Sequence, residues 1–167
     1  MPDNFVSGSV EFTTASPDET QRLGEALGAL LRPGDVVALD GQLGAGKTTL
    51  IQGLARGVGV DERQVKSPTF ILMREYPGGR VPIIHVDAYR LEDSASAVWL
   101  DEEWLFSRKK ITVIEWSARV ADCLPEDRLR IELTHRGETE RALRLAASGA
   151  RSHQILGELQ ARLARSS

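Results

Sequence analysis

The sequence has one cysteine among its 167 residues, which excludes an internal disulfide. Cys123 has no neighbouring Cys or His cluster, so we interpret it as a structural thiol rather than a metal ligand or nucleophile. Long apolar runs are also missing, and their absence argues against a membrane span. Because the N-terminal residues lack the basic start and apolar middle of a signal peptide, we expect a cytoplasmic protein.

An excess of positive charge is absent as well. The net charge of -3 and the pI near 5.7 argue against a protein that grips nucleic acid over a broad face. Residues 91–107 carry five acids and no base, which fits either a solvated face or a docking surface for a basic partner. The chain has no internal repeat or long linker, and its length predicts a single domain over residues 1–167.

One strong motif stands out in this composition. Residues 41–48 read GQLGAGKT and match the phosphate-binding pattern G-x-x-x-x-G-K-[ST] without a mismatch. An apolar run before the motif predicts a buried strand, and an apolar stripe after it predicts a helix. Gly44 and Gly46 let backbone N–H groups approach phosphate oxygens, Lys47 adds positive charge, and Thr48 offers a hydroxyl to magnesium. The sequence therefore predicts a P-loop.

Two acidic residues are candidates to complete such a site. One short apolar strand ends in Asp87 and another ends in Glu115. Magnesium bound to phosphates needs oxygen ligands, and strand ends line the ligand crevice of an open α/β sheet. We therefore predict that at least one of these acids contacts the metal, directly or through water. Taken alone, either acid would equally fit a surface position or a helix cap.

Other polar and aromatic residues leave two interpretations open. His85 shares a strand face with Asp87 and fits a structural role better than a role in the site. Thr69 suits a sensor of the terminal phosphate or the end of a turn. Trp116 suits a base-stacking residue or, more commonly, a core residue. Arg90 and Arg119 suit phosphate neutralisation or ordinary ion pairs.

The order of elements predicts an α/β fold of P-loop NTPase type. We expect a three-layer sandwich with a central mixed sheet flanked by helices and an antiparallel C-terminal hairpin. A strand at 10–13 precedes a helix that begins with a capping box of Ser16 and Glu19. A hairpin is predicted over 70–89, and a last helix over 152–164.

Four phrases together carry a more specific signal than the P-loop alone. They are GQLGAGKTTL at 41–50, SPTF at 67–70, HVDAYRL at 85–91 and IEW at 114–116. In this order they resemble the TsaE (YjeE) family, the small bacterial P-loop ATPases of tRNA threonylcarbamoyladenosine synthesis. The resemblance covers nearly the whole chain.

The resemblance implies a subunit that binds and hydrolyses ATP with Mg²⁺. It would act with the TsaB and TsaD proteins, which modify adenosine 37 of tRNAs that read codons starting with A, and it would meet tRNA through that complex. By matching motif, the catalytic residues would be Lys47, Asp87 and Glu115, and the metal ligands would be Thr48, Glu115 and Asp87. The nucleotide-binding residues would be Gly44, Ala45, Gly46, Lys47, Thr48 and Thr49, with Ser16 and Thr20 beside the nucleotide.

Two positions depart from the family pattern. Gln42 stands where the family usually has Asp or Glu, and Ser117 stands where the family often has proline.

Two other function classes remain open on the residues alone. A small-molecule kinase would need an acceptor pocket and usually an arginine-bearing lid, whereas a nucleotide-gated binding module would hydrolyse almost nothing. The absence of an N/T-K-x-D phrase argues against a GTPase.

Overall fold

The structure, a computed structural model, describes residues 8–42, 44–66, 73–89 and 102–166. Its strands are β1 (Ser9–Thr14), β2 (Val36–Gly41), β3 (Met73–Tyr76), β4 (Ile83–Asp87), β5 (Ile111–Glu115), β6 (Leu129–His135) and β7 (Arg141–Ala147). Its helices are α1 (Pro17–Leu30), α2 (Lys47–Val58), α3 (Glu102–Leu105) and α4 (Ala150–Arg165), with 3-10 segments at Glu62–Gln64 and Ser117–Cys123. No helix in these ranges is both long and apolar enough to cross a membrane.

The strands form a mixed sheet in the order β1-β7-β6-β2-β5-β4-β3. β2 lies parallel to β5 and β6, and β4 lies parallel to β5. The edges are antiparallel: β3 pairs with β4, and the predicted C-terminal hairpin, β6 and β7, carries β1 on its outer side. This order confirms the predicted α/β fold. It also brings the C-terminal ends of β2, β5 and β4 side by side.

Apolar side chains cover both faces of this sheet. On one face, α1, α2 and α4 pack against inward residues such as Leu39, Val113 and Ile131. On the other face, Leu105 of α3 and Val120 of the 3-10 segment Ser117–Cys123 pack against the opposite side of β2, β4 and β5. Successive residues of a strand point to opposite faces, so each strand supplies both layers. The predicted flanking of the sheet by helices is confirmed.

Helices α1 and α2 touch backbone to backbone. The contact uses glycines spaced four apart in each helix, Gly24 and Gly28 in α1 and Gly53 and Gly57 in α2. A Cβ atom at Gly28 would lie 2.1 Å from the carbonyl oxygen of Leu54, and one at Gly53 would lie 2.1 Å from that of Gln21. Only glycine fits at these distances. The contact fixes α2, and with it the loop that precedes α2.

At the N-terminal ends of α1 and α4, side chains from outside the helix accept hydrogen bonds from the first backbone N–H groups. Ser16 caps α1 as predicted, because its Oγ accepts a hydrogen bond from the Glu19 N–H at 3.2 Å. The Glu19 carboxylate, however, accepts from the Ala15 N–H at 2.7 Å, one residue earlier than in the predicted capping box. α4 begins two residues before the expected position, and the Asp127 carboxylate accepts from the N–H groups of Arg151 at 2.9 Å and Ser152 at 3.0 Å.

Several predicted features lie outside the described residues. Thr69, Arg90 and most of the acidic stretch 91–107 belong to them, and the strand expected from residue 70 is described only from Met73 onward. The 3-10 segment Ser117–Cys123 was not predicted, because its short irregular turns leave no apolar periodicity in the sequence.

Candidate nucleotide site

The glycine-rich loop joins the end of β2 to the start of α2. Gly44 has φ 78° and Gly46 has φ 102°, both in the left-handed region that side chains with a Cβ rarely adopt. Gly46 is the N-cap of α2, and no side chain caps this end of the helix. The first N–H groups of α2 therefore point, with the positive end of the helix dipole, at the position where a phosphate would lie.

Lys47 is a buried cation at the start of α2. Its side chain extends back along the loop, where Nζ donates to the carbonyl oxygens of Gly41 at 2.5 Å and Gln42 at 3.0 Å. Nζ also lies 4.3 Å from the centre of the Trp116 ring. Burial lowers the pKa of Lys47, and the negative charges of Glu115, Asp87 and Asp40 oppose this effect only in part. The lysine is thus held by weak partners that an anion can replace.

The two predicted acids lie next to each other. Asp87 and Glu115 are Cα partners at the ends of β4 and β5, and each residue is only 3% exposed. Asp87 Oδ1 accepts a hydrogen bond from the Tyr89 N–H at 2.9 Å. Because both acids act electrostatically on Lys47, the structure brings together the three residues predicted to be catalytic.

His85 connects Glu115 to the interior of the sheet. Its Nε2 lies 2.7 Å from Glu115 Oε2, and its Nδ1 lies 3.0 Å from the Tyr76 hydroxyl, which is also 3.2 Å from the Lys66 carbonyl oxygen. His85 is therefore linked through one ring nitrogen to Glu115 and through the other to Tyr76. His85 is fully buried. Its burial agrees with the structural role that we favoured, and its contact with Glu115, a predicted site residue, agrees equally with the alternative, a hydrogen bond within the site.

The side chains present fit a magnesium ion that is bound mainly through phosphate and water. No group of three or more His, Cys, Asp or Glu residues in the described part of the chain could hold a metal alone. Thr48, beside Lys47, would supply one hydroxyl, and Glu115 and Asp87 would supply carboxylates. Magnesium in nucleotide sites typically takes one or two such protein ligands and keeps several waters.

Ser16 and Thr20 have partners within the fold. Thr20 is buried, and its Oγ1 lies 2.7 Å from Thr14 Oγ1, while Ser16 Oγ caps α1. These contacts explain both residue types without a ligand, and their position beside a nucleotide stays a prediction. The same holds for Thr49, which is half-buried in the first turn of α2.

Trp116 contacts both the core and the site, because its partly buried ring packs against the core cluster that contains Ile114 and Val120 and also covers Lys47. Besides covering Lys47, its ring lies 4.9 Å from that of Tyr89, and the Arg119 guanidinium lies 5.9 Å from it. Its contact with a nucleotide base, one of the two interpretations above, stays a prediction. The position immediately after Glu115 was the sequence signal that pointed here.

Sequence reasoning missed two residues that hold the loop and its surroundings. Arg141 donates from Nε to the Ala45 carbonyl oxygen at 3.1 Å, across 96 residues of sequence. Asp40 accepts hydrogen bonds from Ser117 and Ala118, just after the predicted Glu115. Asp40 lies one residue before the P-loop, which was an available signal. Arg141 had none, because its contact depends on how the hairpin folds back.

A buried strand, a glycine loop, a lysine at a helix start and two acids on neighbouring parallel strands define a P-loop NTPase-type fold. Comparison with known sequences is more specific. The family "Threonylcarbamoyl adenosine biosynthesis protein TsaE" matches residues 14–143, and the chain belongs to this family.

Individual relatives agree with this assignment. The chain is 38% identical over 150 residues to the tRNA threonylcarbamoyladenosine biosynthesis protein TsaE of Bacillus subtilis, covering 90% of this chain and 93% of that protein. It is 45% identical over 116 residues to TsaE of Streptomyces coelicolor, covering 68% and 77%. The crystal structure of Bacillus subtilis YdiB superposes with a TM-score of 0.78 at 31% identity, covering 92% of this chain and 95% of that one.

Proposed function

We propose that this protein is the ATP-binding and ATP-hydrolysing subunit of tRNA threonylcarbamoyladenosine synthesis. Membership of the TsaE family connects the chain with that biosynthesis. One observation carries the ATPase part: Lys47 Nζ, at the P-loop, lies 4.3 Å from the ring centre of Trp116, directly after Glu115, whose Cα pairs with that of Asp87 on the neighbouring parallel strand. A cation for phosphates and acids for metal and water then lie close together at the end of the P-loop strand.

In this proposal each residue has a defined task. Lys47 exchanges its bonds with the Gly41 and Gln42 carbonyls for stronger, charge-assisted bonds to the outer phosphates. Thr48 and Glu115 would hold magnesium, which would neutralise phosphate charge when bound. Asp87 would assist the metal or orient the attacking water. The hydrogen bond from His85 keeps the Glu115 carboxylate fixed in one orientation.

We propose TsaB and TsaD as the partners, in the cytoplasm, where ATP and tRNA are available. The chain's own charge supports an indirect contact with tRNA. With a net charge of -3, it lacks the excess of basic residues that gives salt-dependent binding to phosphate backbones. The chemistry of group transfer to the adenosine then belongs to the partners, and ATP turnover on this subunit supports repeated cycles.

The test replaces Lys47 with alanine and uses Lys109→Ala, at an exposed lysine, as the matched control. ATP binding and phosphate release are measured for each chain alone and with purified TsaB and TsaD. We expect Lys47→Ala to lose nucleotide binding and turnover with its circular dichroism spectrum unchanged, and Lys109→Ala to behave as the parent. Unchanged ATP affinity in Lys47→Ala would contradict the site.

Three other outcomes separate the alternatives. Tight ATP binding with no turnover, even with both partners, would indicate a nucleotide-gated binding module. Transfer of phosphate to a metabolite, without association with either partner, would indicate a kinase. Turnover that rises only when TsaB and TsaD are added would support the proposal in full.

A further inference from the structure

The turn after β5 has a backbone conformation that its side chain disfavours. Trp116 has φ 57° and ψ 42°, and in the described part of the chain no other residue except glycine has a positive φ. The left-handed region brings a Cβ too close to the neighbouring carbonyl, and a bulky residue stays there only where its surroundings hold it. Some contact must therefore fix this turn.

The Asp40 carboxylate makes that contact from the end of β2. Its Oδ2 accepts a hydrogen bond from Ser117 Oγ at 2.5 Å, and its Oδ1 accepts one from the Ala118 N–H at 3.1 Å. Both bonds go to an ionised acceptor and are therefore stronger than bonds between neutral groups. Ser117 is buried and lies 77 residues from Asp40 in the sequence. A side chain of β2, the strand that leads into the P-loop, thus holds the turn that follows Glu115 in place.

The turn after β5 positions two side chains of the nucleotide site, those of Glu115 and Trp116. Glu115 is the last residue of β5, directly before the turn, and its Cα pairs with that of Asp87. The Trp116 indole lies over Lys47 Nζ at 4.3 Å and against Tyr89. If the turn relaxed to an ordinary right-handed or extended conformation, the indole would leave Lys47 and the end of β5 would lose its support.

We infer that Asp40 is a positioning residue of the nucleotide site: it holds the left-handed turn that keeps the Trp116 indole over Lys47 and Glu115 beside Asp87. The inference rests on the proposed function, because it gives this turn a task in ATP turnover. Asp40 acts through its two hydrogen bonds and not through contact with the nucleotide.

Two properties of Asp40 must be separated in the test, since its negative charge also acts on Lys47. Asp40→Asn removes the charge but keeps both bonds, because Oδ1 still accepts from Ala118 and Nδ2 donates to Ser117. Ser117→Ala keeps the charge and removes one bond. Asp40→Ala removes both. Asp122→Ala, at an exposed acid on the same 3-10 segment, is the matched control.

The readout begins without nucleotide. In a chain with Trp99 and Trp104 replaced by phenylalanine, Trp116 is the only remaining tryptophan, and acrylamide quenching reports how well its ring is covered. We expect stronger quenching in Asp40→Ala and Ser117→Ala than in the parent, and parental quenching in Asp40→Asn and Asp122→Ala. Equal quenching in all five chains would overturn the inference.

The second readout is MgATP turnover of the same variants with wild-type tryptophans. We expect kcat to fall by about tenfold in Asp40→Ala, which loses both bonds, and by less in Ser117→Ala, which loses one. We expect KM to change less than kcat in both variants. Asp40→Asn restores kcat to within about twofold. A loss in Asp40→Asn as large as in Asp40→Ala would assign the effect to charge and overturn the inference. Failure of the parent chain to bind ATP would instead refute the proposed function and leave the quenching result standing.

Discussion

Lys47 is charged and buried, and its partners in the structure are weaker than the phosphate oxygens that it binds in the proposed function. Two backbone carbonyls and an indole ring hold the ammonium group, and the nearby acids stabilise its charge without forming a direct ion pair in the described residues. Neutral acceptors release a cation more easily than a carboxylate does. The arrangement keeps the lysine ordered while leaving it able to move to a phosphate.

The lowered pKa of Lys47 makes nucleotide binding sensitive to alkaline pH. Burial lowers this pKa in the free protein, whereas a bound phosphate favours the protonated form. The bound state therefore holds more protons than the free state, so affinity falls as pH rises, and the fall begins below the usual lysine pKa of about 10.4. Titration calorimetry with ATP from pH 7 upward measures this slope.

Lys47→Arg is the matched variant, because a guanidinium stays protonated throughout that range. We expect its affinity, although lower overall, to be independent of pH. A wild-type affinity that stays flat as pH rises would show that Lys47 keeps its proton and would contradict the prediction.

Glu115 contacts His85 in the structure, and in the proposed function it also binds magnesium. Glu115→Gln keeps a hydrogen-bonding group 2.7 Å from His85 but removes the negative charge. We expect Glu115→Gln to weaken nucleotide binding in the presence of magnesium by about tenfold or more and to change magnesium-free binding little. Fluorescent-nucleotide titrations with and without EDTA measure both constants.

His85→Gln is the comparison, because it removes the buried partner and leaves the carboxylate. We expect a smaller loss of magnesium-dependent binding in His85→Gln than in Glu115→Gln. An equal fall of both constants in Glu115→Gln would mean that Glu115 is not a metal ligand.

Residues in local motifs were predictable, and residues that act across the fold were not. Lys47 and its glycines follow from eight consecutive positions, and Asp87 and Glu115 follow from apolar strands that end in acid. The role of Asp40 depends on a contact 77 residues away, and that of Arg141 on one 96 residues away. A single sequence carries no signal for contacts between residues that lie so far apart in the chain.

At the level of elements, the packing of α1 on α2 sets the position of the P-loop helix. We predict that Gly28→Ala destabilises the fold, because its Cβ would lie 2.1 Å from the Leu54 carbonyl oxygen and a backbone cannot yield as a side chain does. Overpacking of this kind costs about 1–3 kcal/mol or more. Urea unfolding, followed by circular dichroism, gives the change in the free energy of unfolding.

Gly157 is the matched control for this prediction. It lies within α4, is exposed, and has nothing within 4 Å of the position its Cβ would take. Gly157→Ala should therefore stabilise the fold by about 0.5–1 kcal/mol through helix propensity alone. If both substitutions had the same sign, close packing of the two helices would not be the cause.

Elements with strong periodicity or clear end signals matched their predictions, and irregular ones did not. α1 combines a serine cap, a proline at its first position and an apolar stripe, and it is found at Pro17–Leu30. The start of α4 was misplaced because its N-terminal N–H groups are satisfied by Asp127, which lies before β6 in the sequence. Caps supplied by a distant segment have no local signature.

At the scale of the whole molecule, the nucleotide site and the main core share the same elements. β2, β5 and α2 contribute apolar residues to the core between sheet and helices, and their ends carry Glu115, Lys47 and the glycine loop. The antiparallel strands β1 and β7 extend this same core toward α4. A nucleotide bound at this end of the sheet, as proposed, would therefore stabilise elements whose unfolding exposes the whole core.

We accordingly expect MgATP to raise the melting temperature of the entire chain in one transition. At a concentration of about 100 times its Kd, a ligand that binds only the folded state adds about 2.7 kcal/mol, which for a domain of this size is a rise of about 5–10 °C. Differential scanning calorimetry of the parent and of Lys47→Ala measures it, and the variant should melt in one transition that MgATP does not move. Two transitions, of which MgATP moved only one, would show that residues 1–167 unfold as two units rather than one.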